Sequence, residues 1–122
     1  MEDYVTFEQA KKLRELGFDW ECNHWYHPLE PDKILESYSY CNHNKFERPH
    51  SAPTISLVQK WLREEKEICV TSSIKIHEGK YKFNWSITLF KEGRGIWDES
   101  VIYDTYVQAL SEGIDKALEL LK

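Results

Sequence analysis

Read from the N-terminus, apolar positions first recur with a helical period. Phe7, Ala10, Leu13 and Leu16 fall on one helical face, so the spacing predicts a first helix over about 7–16. Thr6 and Gln9 are spaced as a capping box, in which the threonine side chain accepts from the third helical amide and the glutamine side chain answers its backbone. Val5 and Ala10 are placed to form the accompanying hydrophobic staple. Gly17 supplies a left-handed stop, after which Phe18 can fold back on the last turn. The same cap recurs near the other end, where TYVQA (105–109) repeats the pattern of TFEQA (6–10). Behind it Tyr106, Ala109, Leu110, Gly113, Ile114, Ala117, Leu118 and Leu121 make one apolar stripe. Gly113 interrupts that stripe at about 1 kcal/mol of helix propensity, so close packing is expected there. A middle helix begins in SAPTISLVQKWLREEK, with Pro53 in its first turn and Ile55, Val58, Trp61 and Leu62 as its buried face.

Between the second and third helices the period changes to two. Ile68, Val70, Ile74 and Ile76 alternate with polar residues up to a turn at Gly79. Tyr81, Phe83, Trp85, Ile87 and Leu89 then alternate on the far side, which predicts a long hairpin. IWDESVIY reads as a further strand, with Trp97, Val101 and Tyr103 facing inward. WECNHWYH and ILESYSYC have strand character on either side of PLEPDK, while NHNKFERPHSAP is a polar connection without period. The expected order is α-β-β-α-β-β-β-α. It describes a single α+β domain over 1–122, a largely antiparallel sheet with helices packed mainly on one face.

Composition narrows the function classes. No apolar run approaches the length that spans a bilayer, and the acidic N-terminus leads directly into a helix, so neither membrane nor leader is expected. Three cysteines at unrelated spacings fit a reducing compartment, and the chain is expected to be cytoplasmic. A net charge of −5 works against phosphate binding, so nucleic acid is not the expected partner. The basic stretches QAKKLRE and QKWLREEK are interleaved with acids and read as solvated helix faces. Glycine-rich phosphate loops, nucleophile elbows and metalloprotease helices are all missing from the string, so no enzyme activity and no cofactor are expected.

Two copies of CNH, at 22–24 and 41–43, raise one specific chemistry. Residues i and i+2 on a strand share a face, so Cys22, His24, Cys41 and His43 could surround a tetrahedral zinc if the segments pair. Ordinary half-buried thiols and imidazoles are the competing reading, because strand neighbours on one face diverge where a C-x-x-C turn converges. The copies lie in an irregular segment, 20–50, that holds four of the five histidines. Trp20, His24, Trp25, Tyr26, His27, Tyr38, Tyr40, His43, Phe46 and His50 are its candidate binding residues. Aromatic faces bordered by neutral hydrogen-bonding edges suit a planar ligand or a protein partner, although an aromatic core edge under a long loop has the same composition.

The segments VTFEQAKKLRELGFDWECN, SAPTISLVQKWLREEKEI and YVQALSEGIDKALELLK together resemble a set of small uncharacterised proteins carried on prophages and mobile elements of gut anaerobes. The resemblance covers roughly half of the chain and leaves most of 20–50 outside it. It implies a bacterial cytoplasmic setting and an accessory role, with no activity attached. The expected function is a non-enzymatic binding module, an accessory protein engaging a host or phage protein through the 20–50 aromatics and the adjacent hairpin. Sequestration of a nucleotide-like ligand and a zinc-stabilised domain are the alternatives, and homo-oligomerisation is left open.

Overall fold

The computed structural model describes residues 3–97 and 102–121, with the Tyr38 side chain outside the described set. The fold is α+β and antiparallel throughout its sheets, as the change of period predicts. Its helices are α1 (Phe7–Glu15), α2 (Ile55–Glu65) and α3 (Tyr106–Leu120). Its strands are β1 (Cys22–Tyr26), β2 (Ile34–Cys41), β3 (His50–Ser51), β4 (Ile68–His77), β5 (Lys80–Leu89) and β6 (Arg94–Trp97). The strands divide into two three-stranded sheets, ordered β2-β1-β3 and β4-β5-β6, where one continuous sheet was the simpler expectation. Two compact units result, 1–57 with 121–122 and 58–120, and the division falls inside α2.

In the first unit, local chemistry sets the ends of α1. Thr6 Oγ1 accepts from Gln9 N–H at 3.2 Å, and Gln9 Oε1 accepts from Thr6 N–H at 3.0 Å. At the other end Gly17 adopts φ +88°, which lets Phe18 N–H reach Leu13 O at 2.9 Å and Gly17 N–H reach Arg14 O at 3.2 Å. Phe18 is thereby buried, as are Val5, Ala10 and Leu13. The expectation for α2 needs correction. Thr54, not Pro53, stands at its start, because Thr54 Oγ1 can accept from Leu57 N–H (3.1 Å). Pro53 lies just outside the helix, and its carbonyl accepts from Val5 N–H at 3.1 Å. The polar connection 42–53 also holds more structure than its composition suggests: a 3₁₀ turn over His43–Lys45 and the short strand β3. Asn44 fastens it, donating to Phe18 O and accepting from Ser51 N–H, both at 2.9 Å.

The second unit is the hairpin with α3 laid across it. β4 and β5 pair without a register break from Ile68↔Leu89 to His77↔Lys80. Glu78 and Gly79 close the turn, both with positive φ (53° and 77°), which is the type I′ geometry that matches strand twist. Val70 and Ile87 are buried on the face that receives α3. Gly113 is what permits the approach: a Cβ there would lie 2.8 Å from Trp85 Cβ and 2.9 Å from Val70 Cγ1. α3 starts as the repeated cap predicts, with Thr105 Oγ1 accepting from Gln108 N–H at 3.1 Å.

Strand β6 corrects the inward assignment of Trp97. Ile96 pairs with the buried Ile87, so strand alternation turns Trp97 outward, and it is 60% exposed. Tyr103 does join the sheet, exchanging backbone bonds of 2.8 and 2.9 Å with Phe83. Val101 lies outside the described residues.

Candidate functional site

The two CNH segments do meet, through backbone pairing that a sequence string cannot show. Cys22 is the register partner of Cys41, yet His24 pairs with Glu36. Five steps along β2 therefore match two along β1, and the surplus residues bulge out of the ladder. Tyr40, inside that bulge, is 68% exposed.

The imidazoles are committed to different partners. His43 is buried, and its Nε2 lies 3.1 Å from the Cys22 carbonyl. A carbonyl only accepts, so Nε2 carries the proton and donates. That leaves Nδ1 bare to accept from the Cys41 thiol at 3.6 Å. The ring also stacks on Trp25, with centroids 6.3 Å apart and an interplanar angle of 22°. His24 instead tilts against Tyr4 (4.2 Å between centroids), places Nδ1 2.8 Å from Asn23 Oδ1 and keeps Nε2 4.0 Å from Glu36. Among the described residues, no three His, Cys, Asp or Glu side chains are gathered as a metal ion would require. Of these four, the Cys22 thiol donates to the His24 carbonyl at 3.4 Å and the His43 ring donates to the Cys22 carbonyl.

The remaining aromatic and histidine candidates divide in the same way. Tyr26 is buried and donates its hydroxyl to Val5 O at 2.8 Å, which makes it a core residue. Phe7 meets both Tyr26 and His50 edge-on, each at 5.7 Å. Trp20 is half-buried against Phe18 at 6.5 Å. His27 sits in the turn after β1, where its Nδ1 accepts from Leu29 N–H at 3.1 Å. Phe46 is exposed beneath the Lys45 ammonium, and its carbonyl accepts from the Arg14 guanidinium, which also holds Pro49 O. Among the described side chains, open aromatic surface in 20–50 thus comes from Tyr40 and Phe46. Tyr40 overhangs a cleft of about 180 Å³ that is floored by Cys22 and Ala52 and flanked by Tyr4, Asn23, Thr54 and Leu57.

Burial gives the two histidines a common electrostatic signature. It pushes the His43 imidazole below its ordinary value, with the Cys22 carbonyl partly opposing the shift. It also lowers His50, helped by the positive charges of Arg14 and Lys11, and His50 Nδ1 is buried without a hydrogen-bond partner. Both are therefore held neutral in the fold. Below about pH 6.5 the unfolded chain takes up protons that the folded chain refuses, so stability should fall as pH drops toward the folded-state values. Urea midpoints measured from pH 7.5 to 5 should decline, and His43→Gln with His50→Gln should flatten that slope relative to the unaltered protein.

The apolar surface that stands out lies elsewhere, in the second unit. Ile68, Val70, Ser72, Ile74 and Ile76 share one face of β4 with Leu89, Ile87, Trp85, Phe83 and Tyr81 of β5. The root of this face is covered by α3, which begins where Tyr106 meets Phe83 edge-on at 6.3 Å. Beyond that level the face continues uncovered, leaving Ile74 63%, Ile76 75% and Tyr81 72% exposed. The opposite face of the same segment carries Lys75, His77, Lys80 and Lys82, with Lys75 and Lys82 directly paired across the strands. The alternation predicted the hairpin but not how far along it a helix would reach. A length comparison could have exposed the overhang: two ten-residue strands extend about 33 Å, while a fifteen-residue helix extends about 22 Å.

At the root of the hairpin a cleft of about 250 Å³ is lined by Ile68, Leu89, Leu120 and charged residues. Its charges answer one another, Lys91 with Glu67 at 3.7 Å and Arg94 with Glu92 at 2.6 Å. No described helix is long and apolar enough to cross a membrane. Compared with protein-family models, curated proteins and solved structures, the chain matches none.

Proposed function

We propose that this chain is a non-enzymatic interaction module that engages another protein through the exposed face of the β4–β5 hairpin. The observation that carries the reading is the core-type face running past the end of α3 with Ile74, Ile76 and Tyr81 in solvent. Three large apolar side chains clustered on a rigid two-stranded support resemble the desolvated centre of an interface, in which aromatic and aliphatic anchors supply most of the affinity. In the first unit, Tyr40 and Phe46 are exposed and offer aromatic contacts of their own.

The non-enzymatic part of the reading rests on how the reactive groups are used. His43 is tied to a backbone carbonyl, His24 to Asn23, and the Cys22 thiol is raised by burial, away from the thiolate form that reacts. An accessory role of the phage or mobile-element type, in the bacterial cytoplasm, follows from the three segments quoted above and belongs to the same proposal.

The test is in-cell chemical crosslinking of the tagged chain beside a variant carrying Ile74→Ser, Ile76→Ser and Tyr81→Ser. The reading expects a discrete adduct of defined stoichiometry with the unaltered chain, lost in the variant while its unfolding midpoint is retained. An identical adduct pattern from both chains would refute the hairpin as the contact surface.

A further inference from the structure

The free side of β4 is an open hydrogen-bonding edge as well as the border of an apolar face. A two-residue type I′ turn makes the closing pair His77–Lys80 a doubly hydrogen-bonded one. Antiparallel alternation then assigns the β4–β5 bonds to residues 77, 75, 73, 71 and 69, and turns the N–H and C=O groups of Ile76, Ile74 and Ser72 away from β5. Three hydrogen-bonded contacts agree with that parity. Phe90 N–H reaches Glu67 O at 3.1 Å, and Phe83, opposite Ile74, bonds outward to Tyr103. The outward carbonyl of Val70 is taken by Gln59 Nε2 at 2.8 Å. Past Val70, no strand adjoins this edge among the described residues.

Resting on the interaction reading above, we infer that the occupant of this edge is an extended segment of a partner protein whose side chains alternate apolar and acidic. Main-chain bonds to Ser72, Ile74 and Ile76 would add it as a fourth strand. Alternation then places one set of its side chains beside Ile74 and Ile76, on the face that Tyr81 extends one strand further in, and the other beside Lys75 and His77. Charge selects the acidic set. Lys82 is answered by Asp104, whose carboxyl that hydrogen bond holds low with help from Lys80, whereas Lys75 makes no ion pair with a described carboxylate. Lys75 and Lys82 face each other across β4 and β5, an unfavourable like-charge pair that an acid on the added strand would relieve. The same lysine disfavours any self-pairing register that would oppose two copies of Lys75.

The test uses the full chain, isotope-labelled, titrated with a ten-residue peptide alternating valine and glutamate. Two controls are a peptide of the same composition in blocks and one alternating valine and lysine. Saturable amide shifts centred on Ser72, Ile74 and Ile76 are expected from the alternating acidic peptide alone. Ile74→Pro removes an outward N–H without breaking the β4–β5 ladder and should abolish the response. Lys75→Glu, which leaves the backbone intact, should weaken it about tenfold or more. Equal response to the lysine peptide would overturn the acidic assignment. A dimer in sedimentation that is lost on Ile74→Pro would make a second copy the occupant and overturn the proposal. If the peptide gives no saturable response while the in-cell adduct persists in Ile74→Pro, the interaction reading stands and the edge mode falls.

Discussion

Gly113→Leu is expected to destabilise the 58–120 unit by about 3 kcal/mol or more, although leucine is among the better helix formers. The reason is the place where α3 touches the hairpin. The missing side chain leaves room for Trp85 Cβ and Val70 Cγ1, each within 3 Å of where a Cβ would stand. Trp85 Cβ is bonded directly to its backbone and cannot step aside without moving β5. Gly113→Ala separates the two terms. Helix propensity favours the alanine by about 1 kcal/mol, and overpacking opposes it by about 1–3 kcal/mol. A net loss is therefore expected, measured by urea denaturation with tryptophan fluorescence. A net gain near the propensity value would show that α3 is free to ride up from the sheet.

What could be read in advance followed the range of the interaction. The ends of α1 depend on residues three or four apart, and the Thr6–Gln9 box and the Gly17 stop appear as the spacing predicts. The hairpin was legible for the same reason, since its turn joins adjacent strands. Pro53 was misplaced because two local signals competed: proline suits a first turn, but Thr54 can cap and proline cannot. Trp97 was misassigned because a single residue of register reverses every side chain, and four-residue strands carry too little alternation to settle it.

The candidate site was less legible. A repeated CNH string invites a four-ligand reading, but the fate of each imidazole depends on a register break between β1 and β2. Nothing in the tripeptide encodes that break, so His43 enters the core while His24 leans on Tyr4. β3 was hidden in a polar connection because two residues cannot show a period. On the hairpin the alternation located both strands correctly. Periodicity reports that a face is apolar, not whether anything covers it, and here the cover ends with α3.

That uncovered face is the centre of this account, and two threonine substitutions on it measure it directly. Ile87→Thr and Ile76→Thr make the same chemical change on the same face and keep the β-branched shape, so strand propensity nearly cancels between them. Ile87 is fully buried, and its replacement removes packed methyl groups and buries a hydroxyl, for an expected loss of about 2–4 kcal/mol. Ile76 stands in solvent, and its replacement should change stability by no more than about 0.5 kcal/mol. The decisive measurement is the difference between the two urea midpoints in the isolated protein. A large loss at Ile87 beside near-neutrality at Ile76 is what an open docking face predicts. A loss above about 1.5 kcal/mol at Ile76 would mean that the face is covered in solution and serves the fold, contradicting the account.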